Sequence, residues 1–574
     1  MTIEIYWNDL TREKQGVHMA IIGIDLGTTN SLATQYTSEG VKILRNSSGN
    51  ALIPSVVGLD DDGNIIVGEV AKERLITHPD LTVAEFKRTM GTDLLYELGK
   101  EKYTSQQLSS ILLKKIVADA KEIIGEEIEE VIISVPAYFN ERMRTATKQA
   151  AELAGIKCER LINEPSAAAL AYLHKHDWKD GTYMVVDFGG GTLDVSIIDS
   201  FDSIMEIIAV AGNNQLGGKD FNEAIYNHFC QTSGMNDENL TAEQQAIIYR
   251  MSEATKIALS TNAIANMTVV INEEKYSLTM DNNELIKIAH NVFEKIVDPI
   301  RKVLKDSRLS PSDLEAIVLV GGSCKMPTVA AFIEEVTGVK PSTDIDPDTA
   351  IAVGAGIFTG IKAKNQDLKD IVMTDICPFS LGVGATDNNK EITMSFIIER
   401  NSMLPSSASR DYYAVKDRQT EVNFKIYQGE SIIPENNIFL GAMKISCPPT
   451  QENEYVATVR MTYDINGILI VDLTNREKKT VSKVILDQHV HLSEKEIEQI
   501  KGRLDKLRFN EGKDEEEQLL ISKAERIIEE TMGFDRERVI EALERFKFIM
   551  KNGNTIEKRK AKDFITKLLE SYED

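Results

Sequence analysis

Two short loops carry the residue types that phosphate chemistry needs. Ile21-Ile22-Gly23-Ile24-Asp25-Leu26-Gly27-Thr28-Thr29-Asn30 and Met184-Val185-Val186-Asp187-Phe188-Gly189-Gly190-Gly191-Thr192-Leu193-Asp194 are each entered from an apolar, β-branched run. In both, a strand delivers an aspartate to a turn whose glycines and threonines let backbone N–H groups and hydroxyls close around phosphate oxygens. They read as two halves of one phosphate clamp, with the aspartates facing a metal. A third loop, Val318-Leu319-Val320-Gly321-Gly322-Ser323, follows another buried-strand pattern and opens the backbone to something flat or anionic. One glycine-rich turn alone is an ordinary tight turn; the repeated Asp-x-Gly theme with threonines behind it is a stronger signal. No G-x-x-x-x-G-K-[ST] is present and no G-x-G-x-x-G opens a helix after a strand, so neither a P-loop nor a Rossmann dinucleotide site is supported.

The elements that must hold these loops follow from the hydrophobic period. From Ile21 to about Lys369, short buried-strand patterns alternate with helical ones, the reading of an α/β domain. In 141–155, Met143, Ala146, Ala150, Leu153 and Ala154 recur at three- and four-residue steps, and Gly155 supplies a C-terminal cap. After the short apolar segment Asp370-Ile371-Val372-Met373-Thr374-Asp375 the period becomes two. Val422, Phe424 and Ile426 alternate with polar residues, as do Tyr455, Ala457, Val459, Met461 and Tyr463, and Asn466-Gly467 predicts a hairpin turn. A last switch comes at Ser493-Glu494-Lys495-Glu496, a capping box flanked by Leu492 and Ile497 as a hydrophobic staple. Beyond it, Ile497, Ile500, Leu504 and Leu507 form one apolar stripe and Val539, Leu543, Phe546 and Met550 another, on helices with a charged outer face.

A chain of 574 residues is too long for one core, and length suggests about three to four domains. With 42% hydrophobic residues it can bury them. A formal charge of −25 argues against nucleic acid, whose phosphates would be repelled, and predicts a cytoplasmic protein. Cys158, Cys230, Cys324, Cys377 and Cys447 are scattered, odd in number and without a C-x-x-C pair, so neither a disulfide framework nor a zinc site is indicated. The pairs His174/His176 and His489/His491 lack neighbouring ligands and read as surface or helix-end histidines. No run of 18 apolar residues exists to span a membrane. Residues 1–18 carry Glu4, Asp9, Arg12, Glu13 and Lys14 without an apolar core, so they are expected to be a disordered extension rather than a secretory signal.

Three further stretches identify a family: Val135-Pro136-Ala137-Tyr138-Phe139-Asn140, Asn163-Glu164-Pro165-Ser166 with the alanines after it, and Leu216-Gly217-Gly218-Lys219-Asp220-Phe221. Together with the two phosphate loops they resemble the seventy-kilodalton heat-shock chaperones, from about Ile21 to the helical tail, and the short tail is most similar to the compact HscC-type members. The resemblance implies an actin-like α/β ATPase domain (19–369), a linker (370–375), an antiparallel β-sandwich peptide-binding domain (376–487) and a short α-helical lid (488–574). It implies ATP hydrolysed to ADP with Mg²⁺, and a K⁺ ion as a further cofactor. It also implies a stress-response role in which ATP binding opens the peptide site and hydrolysis closes it on extended apolar segments of unfolded proteins. The partners implied are a J-domain cochaperone and a nucleotide exchange factor.

Residue by residue, the resemblance gives Asp25 and Asp187 the metal, held through water, and Asp194 the monovalent cation. Gly27, Thr28, Thr29, Asn30, Gly189, Gly190 and Gly191 become phosphate contacts, and Thr192 joins Lys87, Glu164, Asp25 and Asp187 as a catalytic residue. Lys87, an unremarked surface lysine on composition alone, matches the lysine beside the γ-phosphate, where a compact cation stabilises developing charge. Glu164, otherwise a helix-start carboxylate, couples the metal site to a switch at Pro136 and Arg144. Glu253, Lys256, Ser260, Gly321, Gly322, Ser323 and Asp348 match nucleotide contacts. The family's two adenine-stacking arginines are here Ile257 and Lys325, which offer no guanidinium stacking, so weaker nucleotide binding is expected. Met394 and Val415 align with an arch over the bound peptide and Val422 with a pocket residue, though Met and Val on strands are ordinarily core. The linker has Ile371, Val372, Met373 and Thr374 where the family is leucine-rich, so docking is expected to persist but weaken. Arg160 and Asp375 match J-domain contacts.

Two other classes compete. A nucleotide-dependent binding module or exchange factor with little turnover would not need Lys87, Glu164, Pro136 and Thr192 together. A sugar kinase or actin-like filament would not explain the linker, the β segment and the tail.

Overall fold

The computed structural model describes residues 19–46, 48–368, 370–386, 391–464, 468–485, 492–509 and 515–573. The 1–18 extension, the Asn466-Gly467 turn and His489/His491 lie outside the described residues.

The β-branched runs that carry Asp25 and Asp187 become the central strands of two sheets built alike. Met19–Leu26 pairs antiparallel with Asn30–Thr37 and parallel with Glu127–Val135, which is followed by Leu161–Asn163. Gly181–Phe188 likewise pairs antiparallel with Leu193–Phe201 and parallel with Ala316–Val320. Each aspartate therefore leaves its sheet at an equivalent point, at or beside the carboxyl end of its strand. Ile22, Ile24, Val185 and Val186 are wholly buried. Covered on both faces, such strands read as continuous apolar runs rather than as alternation.

Helices Glu164–Lys175 and Ala350–Lys362 lie where the two sheets meet, in one core with Ile132 and Ile162 of the first sheet and Val185 and Val318 of the second. Their contact is close enough that a Cβ on Gly354 would fall 1.7 Å from the Ala167 carbonyl oxygen. The helix predicted over 141–155 runs Glu141–Leu153, with Asn140 capping its start and Gly155 at φ +78° past its end.

The period-two region forms two four-stranded antiparallel sheets. One orders Ile392–Ile398, Leu381–Thr386, Gln419–Gln428 and Ile438–Thr450; the other orders Ser406–Tyr413, Tyr455–Tyr463, Leu469–Asn475 and Thr480–Ile485. Val383, Ile426, Val459, Met461 and Val471 share their common core. The segment before them joins the α/β part directly: Val372–Thr374 adds in parallel to Ile204–Asn213, and Ile371 and Met373 pack into the core between the larger sheets.

The Ser493 capping box forms as the sequence predicts, and Leu492 and Ile497 pack together in one apolar cluster. The partner of that first stripe is unexpected. Ile497 and Leu504 bury against Leu108, Ile111 and Leu153 of the α/β part, and the Ile65 N–H donates to the Arg508 carbonyl at 2.8 Å. The second stripe closes a separate bundle of Glu515–Glu530, Gly533–Asn552 and Thr555–Glu570 around Ile527, Val539, Phe546 and Ile565.

Candidate active site

The phosphate loops meet. A Cβ on Gly190 would lie 2.0 Å from Thr29 Oγ1, and one on Gly191 would lie 2.9 Å from Thr28 Cγ2. The two loops thus touch across the cleft between the sheets, and only glycine fits. Inside the second loop the Gly189 N–H donates to the Thr192 carbonyl at 3.0 Å. The third loop is tied to it by Ser323 Oγ, which donates to the Gly189 carbonyl at 2.7 Å. Gly321, at φ +84°, passes so near Phe188 that a Cβ would sit 2.6 Å from its carbonyl carbon.

Below the loops lies a nest of buried charge. Lys87 and Glu164 are 5% and 4% exposed and pair at 2.7 Å. Asp187 and Asp194 are 3% and 1% exposed. Burial, with Glu164 beside it, pushes Asp25 up to about 6 although Lys87 and Ser134 act the other way. Asp194 is pushed up to about 7 by burial and Glu164. Asp187 is raised well above the carboxylate range by burial, then by Glu164, Asp194 and Asp25. So many carboxylates in one dry space call for a cation.

Among the described residues no three His, Cys, Asp or Glu side chains are gathered for direct metal ligation. What the nest offers is unmet oxygen: Oδ2 of Asp187 and Oδ2 of Asp194 are buried without a hydrogen-bond partner. Asp194 is fixed by the Tyr138 N–H, which donates to its Oδ1 at 3.0 Å, and the neighbouring Asp25 by Ser134 Oγ, which donates to its Oδ1 at 2.6 Å. Oriented, unpaired carboxylate oxygens fit a hydrated divalent ion and a second cation.

The nucleotide-contact candidates fall on the far wall of the same cleft. Glu253 and Lys256 lie on helix Ala242–Ala258, with Ser260 just past its end, and Lys256 Nζ donates to the Gly218 carbonyl at 3.1 Å. Gly322 comes within 3.3 Å of Asp348 Oδ1, measured from its ideal Cβ. Ile257 is 59% exposed, and the Lys325 ammonium is held by Asp348 and Asp346 rather than left free to stack.

From Asn163, the residue before Glu164, hydrogen bonds lead away from the site. Arg144 Nη2 donates to Asn163 Oδ1 at 2.5 Å and to the Ala137 carbonyl at 3.4 Å, next to Pro136. Asn163, which precedes Glu164, donates to Asp375 Oδ2 at 2.5 Å. Arg160 stacks over Phe358 with its guanidinium carbon 5.0 Å from the ring centre, and burial lowers its pKa despite the opposing charge of nearby Asp375.

The three peptide-contact candidates are not gathered as tightly. Met394 is buried, and its N–H donates to the Ile432 carbonyl at 2.8 Å. Val415 is half exposed after the Ser406–Tyr413 strand, and Val422 packs partly against the shared core. Ile392, Ile432 and Ile433, around Met394, present exposed apolar side chains that periodicity did not single out.

Sequence reasoning passed over four other groups as site residues: Ser134, Asn163, Gly217 and Gly218. A Cβ on Gly217 would lie 2.3 Å from Gly191 N, and the Gly218 N–H donates to the Gly189 carbonyl. The adjacent glycines were the available signal for the last two; a lone Ser or Asn carries none.

The Hsp70 protein family model matches residues 21–98 and 93–569. Chaperone protein DnaK of Thermotoga neapolitana is 36% identical over 501 residues, covering 84% of this chain and 82% of its own. Chaperone protein DnaK of Thermotoga petrophila and that of Thermotoga maritima match with the same identity and coverage.

Proposed function

The chain belongs to the Hsp70 family, and from that premise we propose how its residues do an ATP-dependent chaperone's work. The protein is an ATPase and a chaperone that binds unfolded polypeptide. In our reading, residues 19–369 are an actin-like ATPase domain, 370–375 a linker, 376–487 a β-sandwich that binds peptide and 488–574 a helical lid.

One observation carries the chemical assignment: unpartnered carboxylate oxygens of Asp187 and Asp194 are buried beside the Lys87–Glu164 pair, under loops in which only glycine fits. Mg²⁺, when bound, neutralises phosphate charge, and Asp25 and Asp187 would hold it through water; Asp194 would hold K⁺. Phosphoryl transfer to water asks the protein mainly to position groups and to stabilise charge. Gly27, Thr28, Thr29, Asn30, Gly189, Gly190 and Gly191 line the phosphates in this reading, and Thr192 belongs to the catalytic set. Lys87 stabilises the transferring group and orients water, while Glu164 holds that lysine.

Coupling to peptide follows the chain Glu164, Asn163, Arg144 and Asp375 into the linker. ATP binding opens the peptide site near Met394, Val415 and Val422, and hydrolysis closes it. An apolar stretch of about five residues, held through backbone hydrogen bonds and a pocket, is the ligand. Arg160 and Asp375 would meet a J-domain cochaperone, an exchange factor would speed nucleotide release, and the stress-related work would be cytoplasmic.

The test is single-turnover hydrolysis of labelled ATP with and without an apolar peptide. Hydrolysis that the peptide accelerates is expected. Nucleotide binding with no hydrolysis would favour a binding module with little turnover.

A further inference from the structure

The bundle at the end of the chain packs on both walls of the nucleotide cleft. One wall carries helix Glu69–Thr77, which lies along helix Glu515–Glu530. The other carries helix Ala242–Ala258 and the hairpin Ile264–Ile271/Glu274–Asp281.

Four side chains join the walls in series. Arg526, only 2% exposed, pairs through Nε with Glu73 on the first wall. Its Nη1 meets Glu530 Oε2 at 2.8 Å and its Nη2 meets Glu573 Oε1 at 2.6 Å. Glu530 is shared, because its Oε1 accepts from Arg250 Nη1 on the second wall at 2.8 Å. A second tie runs from Arg536, whose Nη1 meets Glu273 Oε1 on the second wall's hairpin at 2.9 Å. Arg536 is itself fixed by donating from Nε to the Ile528 carbonyl at 2.9 Å.

This arrangement is more than surface charge. Arg526 is buried and the Glu530 side chain is only 13% exposed, so both have lost most of the water that could replace a partner, and planar guanidinium groups satisfy carboxylates on two sides at once. Opening the cleft by parting Glu73 from Arg250 would strand buried charge on at least one residue of the series, a costly outcome. The walls also touch below the tail, through Lys219 with Glu85 and through Ile76 in the core of the second wall. The tail therefore adds to an existing closure.

We propose that the C-terminal three-helix bundle is an intrachain latch over the nucleotide cleft, in which Arg526 and Glu530 tie Glu73 to Arg250 and slow nucleotide release. The proposal rests on the cleft being the ATP site. It gives the tail a role in retaining nucleotide besides covering peptide, and it offsets an adenine pocket that lacks guanidinium stacking.

The test is stopped-flow release of a fluorescent non-hydrolysable ATP analogue, the nucleotide state in which the tail is docked, from the full chain on mixing with excess ATP. Arg250→Ala lies outside the bundle and cuts only its tie to the second wall; Glu530→Gln keeps side-chain volume and weakens both of that residue's contacts. Each should release the analogue about tenfold faster, equal to about 1.4 kcal/mol, while single-turnover hydrolysis of bound ATP stays at the unsubstituted rate. Unchanged release from both variants, with wild-type thermal midpoints, would overturn the latch. Failure of the unsubstituted protein to bind the fluorescent ATP analogue would overturn the ATP-site reading instead.

Discussion

Tyr463 donates its hydroxyl hydrogen to Glu141 Oε2 at 2.9 Å, joining the second β sheet to the first turn of a helix in the α/β part, 322 residues away. Glu141 also offers its N–H to Gln428 Oε1 at 3.1 Å, and Arg142 donates to the Phe439 carbonyl at 3.1 Å. Arg400 pairs with Asp306 at 2.7 Å nearby. The β part is thus seated on the α/β part through a buried polar contact.

That contact is sensitive to pH. Burial pushes the Glu141 carboxyl up to about 7, against the opposing effects of Tyr463, Arg144 and Lys148. Separation of the two parts would return it toward its ordinary value, so the joined arrangement binds this proton more tightly. Its relative stability should be greatest at low pH, fall as pH rises from the ordinary carboxylate range through about 7, and level off above. Energy transfer between dyes on the two parts, followed from pH 5 to 8.5 in ATP, reads this out. Glu141→Gln should flatten the profile.

Lys87→Ala removes the cation from a buried pair. Loss of one charge-stabilising group of this kind costs about 10²–10³-fold in rate, and a broken buried pair costs about 3–5 kcal/mol. Single-turnover hydrolysis should slow by that factor and the thermal midpoint should fall. ATP binding should survive, because the glycine loops are untouched.

The strand Val372–Thr374 contains a defect. Thr374 Oγ1 is buried without a hydrogen-bond partner where the strand pairs with Glu206, and an unmet buried hydroxyl costs about 1–3 kcal/mol. Thr374→Val keeps the shape and removes that group, so it should strengthen docking of 372–374. Hydrogen exchange at Met373 and Thr374 should slow in the variant.

The proposed adenine pocket at Ile257 and Lys325 should respond to restored stacking. Ile257→Arg together with Lys325→Arg supplies two guanidinium groups, and cation–π contact is worth about 1–2 kcal/mol, or about tenfold in affinity. Titration calorimetry with ADP should show that gain. A nanomolar dissociation constant in the unsubstituted protein would contradict the weakened pocket.

Much of this was legible in the chain. Asp25 and Asp187 announce their loops because buried strands leave an unbroken apolar run before the first glycine. Ser493 announces its helix because a capping box is local chemistry. The stripe of Ile497 and Leu504 predicts that a face is buried but not against what, and its partners Leu108, Ile111 and Leu153 are hundreds of residues away. Tyr463 and Glu141 were legible only as a strand residue and a helix start. Asn163 bridges Arg144 and Asp375 through contacts that no period encodes. Arg526 looked like one more charge on a solvated face, since sequence pattern does not show which exposed-looking arginine three carboxylates will enclose.

The central claim is that ATP binding itself governs the peptide site. The most direct measurement is the dissociation rate of a fluorescent apolar peptide, in ADP and then in ATP, from the unsubstituted protein and from Lys87→Ala. Faster release in ATP from both proteins is the predicted result, because the variant binds ATP but hydrolyses it slowly. The same release rate in either nucleotide would contradict the account and leave a peptide-binding module uncoupled from its ATPase.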